Sequence, residues 1–201
     1  VKGWGPERHV YFTAVFSKPF RDFGIMQDTI PVKYNTNRFR SSLEAWGKDL
    51  RFWMRFPTRQ GEVVTVKTAV SAVSSDGAKL NMQELEGKTF ASLKAEGEKL
   101  WEGQLSKFKI EATPEQRETF YTSVYHAFLH PFIFQDADGK FRELDKNIGQ
   151  AEGFTNYTVF SLWDTYRALH PLFNLVQRDI NADIVNSMLA HYDKSVEHML
   201  P

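Results

Sequence analysis

The sequence predicts an α+β chain of the segregated kind, with strands first and helices after. Three observations carry that prediction. Period-two alternation fills the first third of the 201 residues. Steps of three and four fill most of the remainder. Nowhere do strand and helix alternate as a βαβ unit requires.

The elements are taken in chain order. In RHVYFTAVFSKPF, Val10, Phe12, Ala14 and Phe16 alternate with His9, Tyr11, Thr13 and Val15, which predicts a strand buried on at least one face. In LRFWMRF, Leu50, Phe52, Met54 and Phe56 point one way, Arg51 and Arg55 the other, and Trp53 is amphipathic. EVVTVKTAVSAV, from Glu62 to Val73, is rich in β-branched residues and comes after a turn signal at Gln60-Gly61. These three are expected to be consecutive antiparallel strands of one sheet. After Ser75-Asp76-Gly77 the period turns helical, with Phe90, Leu93, Gly97, Leu100, Trp101, Leu105 and Phe108 on one stripe. A second helix opens at Thr113, with Pro114 at its first position and Gln116 completing a capping box. Phe120, Tyr121, Val124, Tyr125, Phe128 and Leu129 form its apolar face, and Pro131 ends it. Residues 132–156 read as loop. A helix around Trp163 is expected to be kinked or divided by Pro171. A last helix is expected from Ala182 to Val196, with Ile184, Val185, Met188, Leu189 and Tyr192 on one face. The boundaries predicted are residues 1–75 for the strand-rich part, 76–112 for a linking helical region and 113–201 for the helical part.

Composition narrows the function classes. Lys+Arg and Asp+Glu both number 25, so no net charge draws the chain to nucleic acid or an acidic membrane surface. There is no cysteine, which removes disulfides, thiolate metal sites and cysteine nucleophiles. No apolar run reaches the length of a membrane span. The start VKGWGPERHV and the end HMLP give the expectation of a segment cut from a longer polypeptide.

Four patterns bear on chemistry. In FSLWDTYRALHP, Phe160, Trp163, Asp164 and Arg167 stand three and four apart, and on a helix they would share one face. Leu162, Tyr166 and Leu169 would face the core. An aromatic ring, a carboxylate and a guanidinium side by side can bind a sugar, since rings stack on its C–H faces and carboxylates accept its hydroxyl protons. The same spacing also fits an Asp164–Arg167 ion pair beside a core tryptophan. In QDADGKFRELD, Asp136, Asp138 and Asp145 offer oxygen ligands, but a third acidic position of the calcium-loop pattern is missing. Asp138-Gly139 reads there as a turn. His126 and His130 have a chelating spacing but no third ligand, and read as helix-end or core residues, as does His170 before Pro171. No phosphate-binding glycine loop and no G-x-S-x-G elbow occurs.

Taken together, YFTAVFSKPF, FYTSVYHAFLHP, the loop from Asp136 to Gly139 and above all FSLWDTYRALHPL resemble glycoside hydrolase family 92, the exo-acting α-mannosidases. The resemblance runs from about Tyr11 to Pro201 and is weakest between Arg21 and Gly61. It implies the end of an N-terminal antiparallel β-sandwich followed by the first helices of an incomplete (α/α)6 barrel. It implies a calcium-dependent, inverting enzyme that removes terminal mannose from N-glycans or mannans and is secreted, periplasmic or cell-surface. Trp163 and Asp164 match the family's Trp-Asp pair, so the implied role is to wall the terminal mannose and accept its hydroxyls. Arg167 would bind substrate or hold Asp164 in place.

The family's catalytic acid, catalytic base and calcium ligands are expected beyond Pro201, so none is assigned to this chain, which is expected to be inactive alone. The faces Phe120, Val124, Phe128 and Val185, Met188, Leu189 would lose neighbours in such a segment, and self-association is expected. A different (α/α)6 glycosidase and a non-catalytic carbohydrate-binding protein remain as alternative readings.

Overall fold

The computed structural model describes residues 9–31, 47–158, 160–195 and 198. The elements are β1 (Tyr11–Phe16), β2 (Asp22–Gln27), β3 (Ile30–Pro31), β4 (Leu50–Arg55), β5 (Val66–Ser71), α1 (Ser75–Met82), α2 (Phe90–Leu105), α3 (Pro114–Ala127), β6 (Phe132–Ile133), β7 (Lys140–Arg142), β8 (Ile148–Gln150), β9 (Tyr157–Thr158), α4 (Leu162–Thr165), α5 (Leu169–Val176) and α6 (Arg178–Lys194). The strands β1–β5 precede the helices, as the periodicity predicts, and four strands of two or three residues follow α3. The chain forms two compact units, residues 14–67 and the residues on either side of them, with the boundaries inside β1 and β5.

The three long predicted strands do not make one sheet. β5 pairs with β1, whereas β4 pairs with β2 in a separate three-stranded sheet of order β3-β2-β4. The element that changes the pairing is β2, DFGIMQ, whose central Gly24 reads as a strand breaker. Gly24 lies opposite Trp53 in the antiparallel register. A Cβ there would stand 2.6 Å from the indole, so glycine lets the ring lie on the strand. Phe23 and Ile25 pair with Met54 and Phe52 on the other face. Edge and tilted contacts then join Phe16, Phe20, Phe23, Phe52 and Phe56. Leu50 and Phe52 stay exposed in spite of their alternation, as do Phe12 of β1 and Val10 just before it.

In the second unit, Ser74 caps α1 by accepting from Gly77 N at 2.9 Å, so the helical part starts at Ser75, two residues before the predicted switch after Gly77. The α3 box forms as predicted, with Thr113 Oγ1 accepting from Gln116 N and Gln116 Oε1 accepting from Thr113 N. Rings of Trp101 and Tyr125 meet at 4.5 Å between α2 and α3. Phe128 contacts Phe108 and Phe173, so the α3 face expected to lose its neighbours is covered, and Val124 is buried. Val185 and Leu189 remain open. The core cluster is Tyr157, Phe160, Phe173 and Ile184, with Phe128, Leu169, Ile180 and Met188 against it.

α6 begins four residues before the predicted Ala182; of its predicted face Ile184 is buried and Met188 packs on the core, whereas Val185, Leu189 and Tyr192 are exposed and Ser187 and His191 are buried instead. The predicted end at Val196 lies outside the described residues. Lys107 Nζ donates to Val176 O at 3.0 Å and to Gln177 Oε1 at 2.9 Å, satisfying the C-terminal end of α5.

The stretch predicted as loop carries two short antiparallel pairs, β6 with β9 and β7 with β8. Strands of two or three residues show no period. Their turn residues are what the sequence displays: Gly139 at φ +82 closes the Asp136–Gly139 turn, and Lys146 at φ +71 closes the next. Asp136 is only 4% exposed. It accepts from Ser71 Oγ at 2.7 Å and from Asn81 Nδ2 at 2.8 Å, while Asn81 Oδ1 accepts from Ala137 N at 2.8 Å. Arg142 adds bonds to Ala72 O and Val73 O.

Two stability measurements test this packing. A Cβ at Gly77 would stand 2.7 Å from Ser71 Oγ and nearer still to Asp136 Oδ2, whereas one at Gly97 meets nothing within 4 Å. Gly77→Ala is therefore expected to destabilise by about 1–3 kcal/mol, and Gly97→Ala, inside α2, to stabilise by up to ~1 kcal/mol. Urea unfolding of each variant checks both signs.

His191 stacks on Phe141 at an interplanar angle of 7° and meets the edge of Phe160. Its Nε2 is buried without a hydrogen-bond partner among the described residues, and burial holds its imidazole below the usual 6.5. Below pH 6.5 the unfolded chain binds more protons here than the folded one, so stability is complete above that pH and falls as pH drops through it. His170, lowered by burial in the same direction, adds to the slope. His191→Phe is expected to flatten the decline in melting temperature between about pH 7.5 and 5.5.

Candidate functional site

The Trp-Asp segment occupies α4, a single helical turn set between β9 and α5. The backbone leaves the helix at Tyr166–Ala168 and re-enters at Leu169. Pro171 then sits in the first turn of α5, where its missing N–H costs nothing. The proline thus accompanies a division of the helix, as predicted, but the break lies several residues ahead of it.

The division changes which side chains share a face. Phe160 precedes α4 and is 4% exposed in the core, so it does not stand beside Trp163 as the spacing suggested. Trp163 is 82% exposed, and Asp164 and Arg167 are exposed with it. Leu162 and Leu169 are half-buried as predicted, whereas Tyr166 is exposed.

Asp164 and Arg167 do not pair. The carboxylate Oδ2 of Asp164 accepts from Ser161 Oγ at 2.6 Å. Arg167 Nε donates to the Tyr166 hydroxyl at 3.0 Å, and its guanidinium lies 5.5 Å from the Tyr166 ring centre. The structure thus overturns both the ion pair and the reading in which Arg167 holds Asp164. Thr165 Oγ1 bonds Ser161 O at 3.1 Å and His170 Nε2 at 2.9 Å. Ser161 and Thr165 were not singled out from the sequence, although S-x-x-D was legible there as a cap pattern; His170, read there as a helix-end or core residue, is half-buried in the first turn of α5.

What this segment offers solvent is a bare indole, a carboxylate with Oδ1 unpartnered among the described residues, and a ring-backed guanidinium. That set can stack on a C–H face and accept hydroxyl protons.

The other sequence candidates lie apart from it. Both oxygens of Asp136 are taken by Ser71 and Asn81. Asp138 pairs with Lys140 at 2.6 Å, which holds its carboxyl below the usual range. Asp145 binds Asn147, whose backbone N–H lowers it likewise. His126 and His130 are exposed near the end of α3. Among the described residues no group of three or more His, Cys, Asp or Glu is placed to hold a metal ion. These residues therefore do not fit a calcium site.

Comparison with known families decides the assignment. The profile of the glycosyl hydrolase family 92 catalytic domain matches residues 77–201, and that of the family's N-terminal domain matches residues 1–71. The chain belongs to glycosyl hydrolase family 92. Comparison with curated proteins gave no match. Among solved structures, this family 92 chain is similar to the family GH92 α-mannosidase BT3965 from Bacteroides thetaiotaomicron, with 70% identity and a TM-score of 0.93 over 100% of this chain and 27% of that one. The same α-mannosidase is also known in complex with mannoimidazole. The family GH92 inverting mannosidase BT2199 from Bacteroides thetaiotaomicron VPI-5482 is similar at 25% identity and a TM-score of 0.76, over 92% of this chain and 25% of that one. The chain thus spans about a quarter of the length of these relatives. The strand-then-helix order agrees with a family 92 N-terminal sheet domain followed by the start of a helical barrel.

Exposure separates the two aromatics of the segment. Trp163→Ala is expected to change unfolding stability by less than about 0.5 kcal/mol, and Phe160→Ala to cost about 3–5 kcal/mol. Denaturant unfolding of the two variants side by side checks this; an equal loss in both would place Trp163 in the core.

Proposed function

We propose that this chain is the junction between the sheet domain and the catalytic barrel of an exo-acting, inverting, calcium-dependent α-mannosidase. Its substrates are N-glycans or mannans that end in mannose, and its place is outside the cytoplasm. The observation that carries the reading is 70% identity along the whole chain to a family GH92 α-mannosidase. The mannoimidazole complex of that relative supports a mannose-shaped ligand.

In this reading the residues of the chain bind and orient; they do not cleave. Trp163 stacks against the terminal mannose, and Asp164 accepts its hydroxyl protons. Arg167, backed by Tyr166, is the third substrate contact. Glycosidic cleavage with inversion needs a carboxylic acid to protonate the leaving oxygen and a carboxylate to activate water, roughly 6.5–9.5 Å apart. We place both, and the calcium ligands, in the part of the relatives' length that this chain does not span. Calcium, when bound, would orient and polarise the sugar.

The test is hydrolysis of α-1,2-mannobiose by the intact polypeptide, with calcium and with EDTA, followed by proton NMR. Release of β-mannose first, loss of release in EDTA, and a fall in kcat/KM of at least about a hundredfold in Asp164→Ala are expected. Turnover that survives EDTA removes calcium from the reading. Absence of release from every α-mannoside by a folded polypeptide overturns it.

A further inference from the structure

The turn that carries Asp164 lacks its expected cap. Ser161 is the residue before α4, and Asp164 is the third residue of that helix, so S-x-x-D matches a capping box. In such a box the serine oxygen accepts from the backbone N–H three residues on. The other two boxes in this chain do so, at Thr89 with Ser92 and at Thr113 with Gln116. At α4 there is no side-chain cap bond, and Ser161 stands at φ −115, ψ 82, outside the extended conformation of the other two caps. Its hydroxyl donates instead to Asp164 Oδ2 at 2.6 Å.

Local stability is thus forgone to hold a solvent-facing carboxylate. A surface aspartate gains nothing for folding from one exposed hydroxyl, because water would serve it as well. A binding carboxylate gains a fixed rotamer. Ser161 occupies Oδ2 and, among the described residues, leaves Oδ1 free, so the group presents one oxygen in one direction. The serine backbone is itself held, since Ser161 O accepts from Thr165 Oγ1 at 3.1 Å and Thr165 bonds His170. Departure from a local rule at an exposed polar group is the mark of a site rather than of a scaffold.

We propose that Ser161 is a positioning residue for Asp164, orienting its carboxylate toward a sugar hydroxyl. This rests on the mannose-binding role proposed for Asp164. Ser161 acts through the aspartate and touches no substrate itself.

A double-mutant cycle on the intact polypeptide tests it, with α-1,2-mannobiose as substrate and mannoimidazole as the binding probe. Ser161→Ala is expected to lower kcat/KM about tenfold and to weaken mannoimidazole to a similar extent, with unchanged melting temperature. Ser161→Thr, which keeps the hydroxyl, restores most of that loss. In the Asp164→Ala background, Ser161→Ala is expected to add less than about a twofold effect, because its partner is gone. An effect of Ser161→Ala as large in Asp164→Ala as in wild type overturns the proposal, as does wild-type kcat/KM in Ser161→Ala. Wild-type hydrolysis with full activity in Asp164→Ala would overturn the role of Asp164 and this proposal together, while leaving the mannosidase standing. An inactive wild type overturns both readings.

Discussion

The helical unit depends on one buried carboxylate. Asp136 lies in a tight turn between short strands, yet it binds the end of β5 through Ser71 and the side of α1 through Asn81. Asn81 answers by accepting from the backbone of Ala137 and donating to Val70 O. A buried carboxylate is tolerable only when its oxygens are satisfied, so each of these groups is needed where it is. Gly77 is part of the same arrangement, since a side chain there would overlap the carboxylate. Through this group the strand-to-helix switch at residues 71–77 is tied to the 132–158 region, whose last strand leads into the Trp-Asp turn.

From there the architecture narrows toward α4. Ser187 on α6 accepts from Tyr157 N at 2.9 Å, and its single hydroxyl proton lies between Asp183 O at 2.7 Å and Thr155 O at 3.2 Å, which fixes β9 against the helix. Phe160 then enters the core and Trp163, three residues later, leaves it. The contrast between those two rings marks where the chain passes from core to surface. A buried phenylalanine holds the chain, and the next turn presents its indole and carboxylate outward.

Much of this was legible in the sequence, and the failures have physical causes. The Thr113 box, the buried Val124 and the Asp138-Gly139 turn are local, so local patterns found them. β2 was hidden because Gly24 looks like a breaker until Trp53, distant in sequence, covers it. The burial of Asp136 was hidden because its partners lie 65 and 55 residues away. The pairing of Trp163, Asp164 and Arg167 on one helical face failed for a different reason. The spacing assumed a continuous helix, but α4 is a single turn, and the chain bends before Arg167 can reach the aspartate. The family strings identified the family correctly; the geometry of the Trp-Asp segment came only from the fold.

The distances in sequence that hold the helical unit together also order its birth. Ser71 waits for a partner 65 residues downstream, and Lys107 for one 70 residues downstream. At synthesis rates of about 5–20 residues per second, each wait lasts roughly 3–14 s. During that interval the capped turns of α1, α2 and α3 are already complete as sequence, while the groups that bury Asp136 and close α5 have nothing to bind. The nascent chain therefore carries preformed helical starts and open apolar faces together, and the arrival of Asp136 at the ribosome exit is the moment at which the first of them can lock.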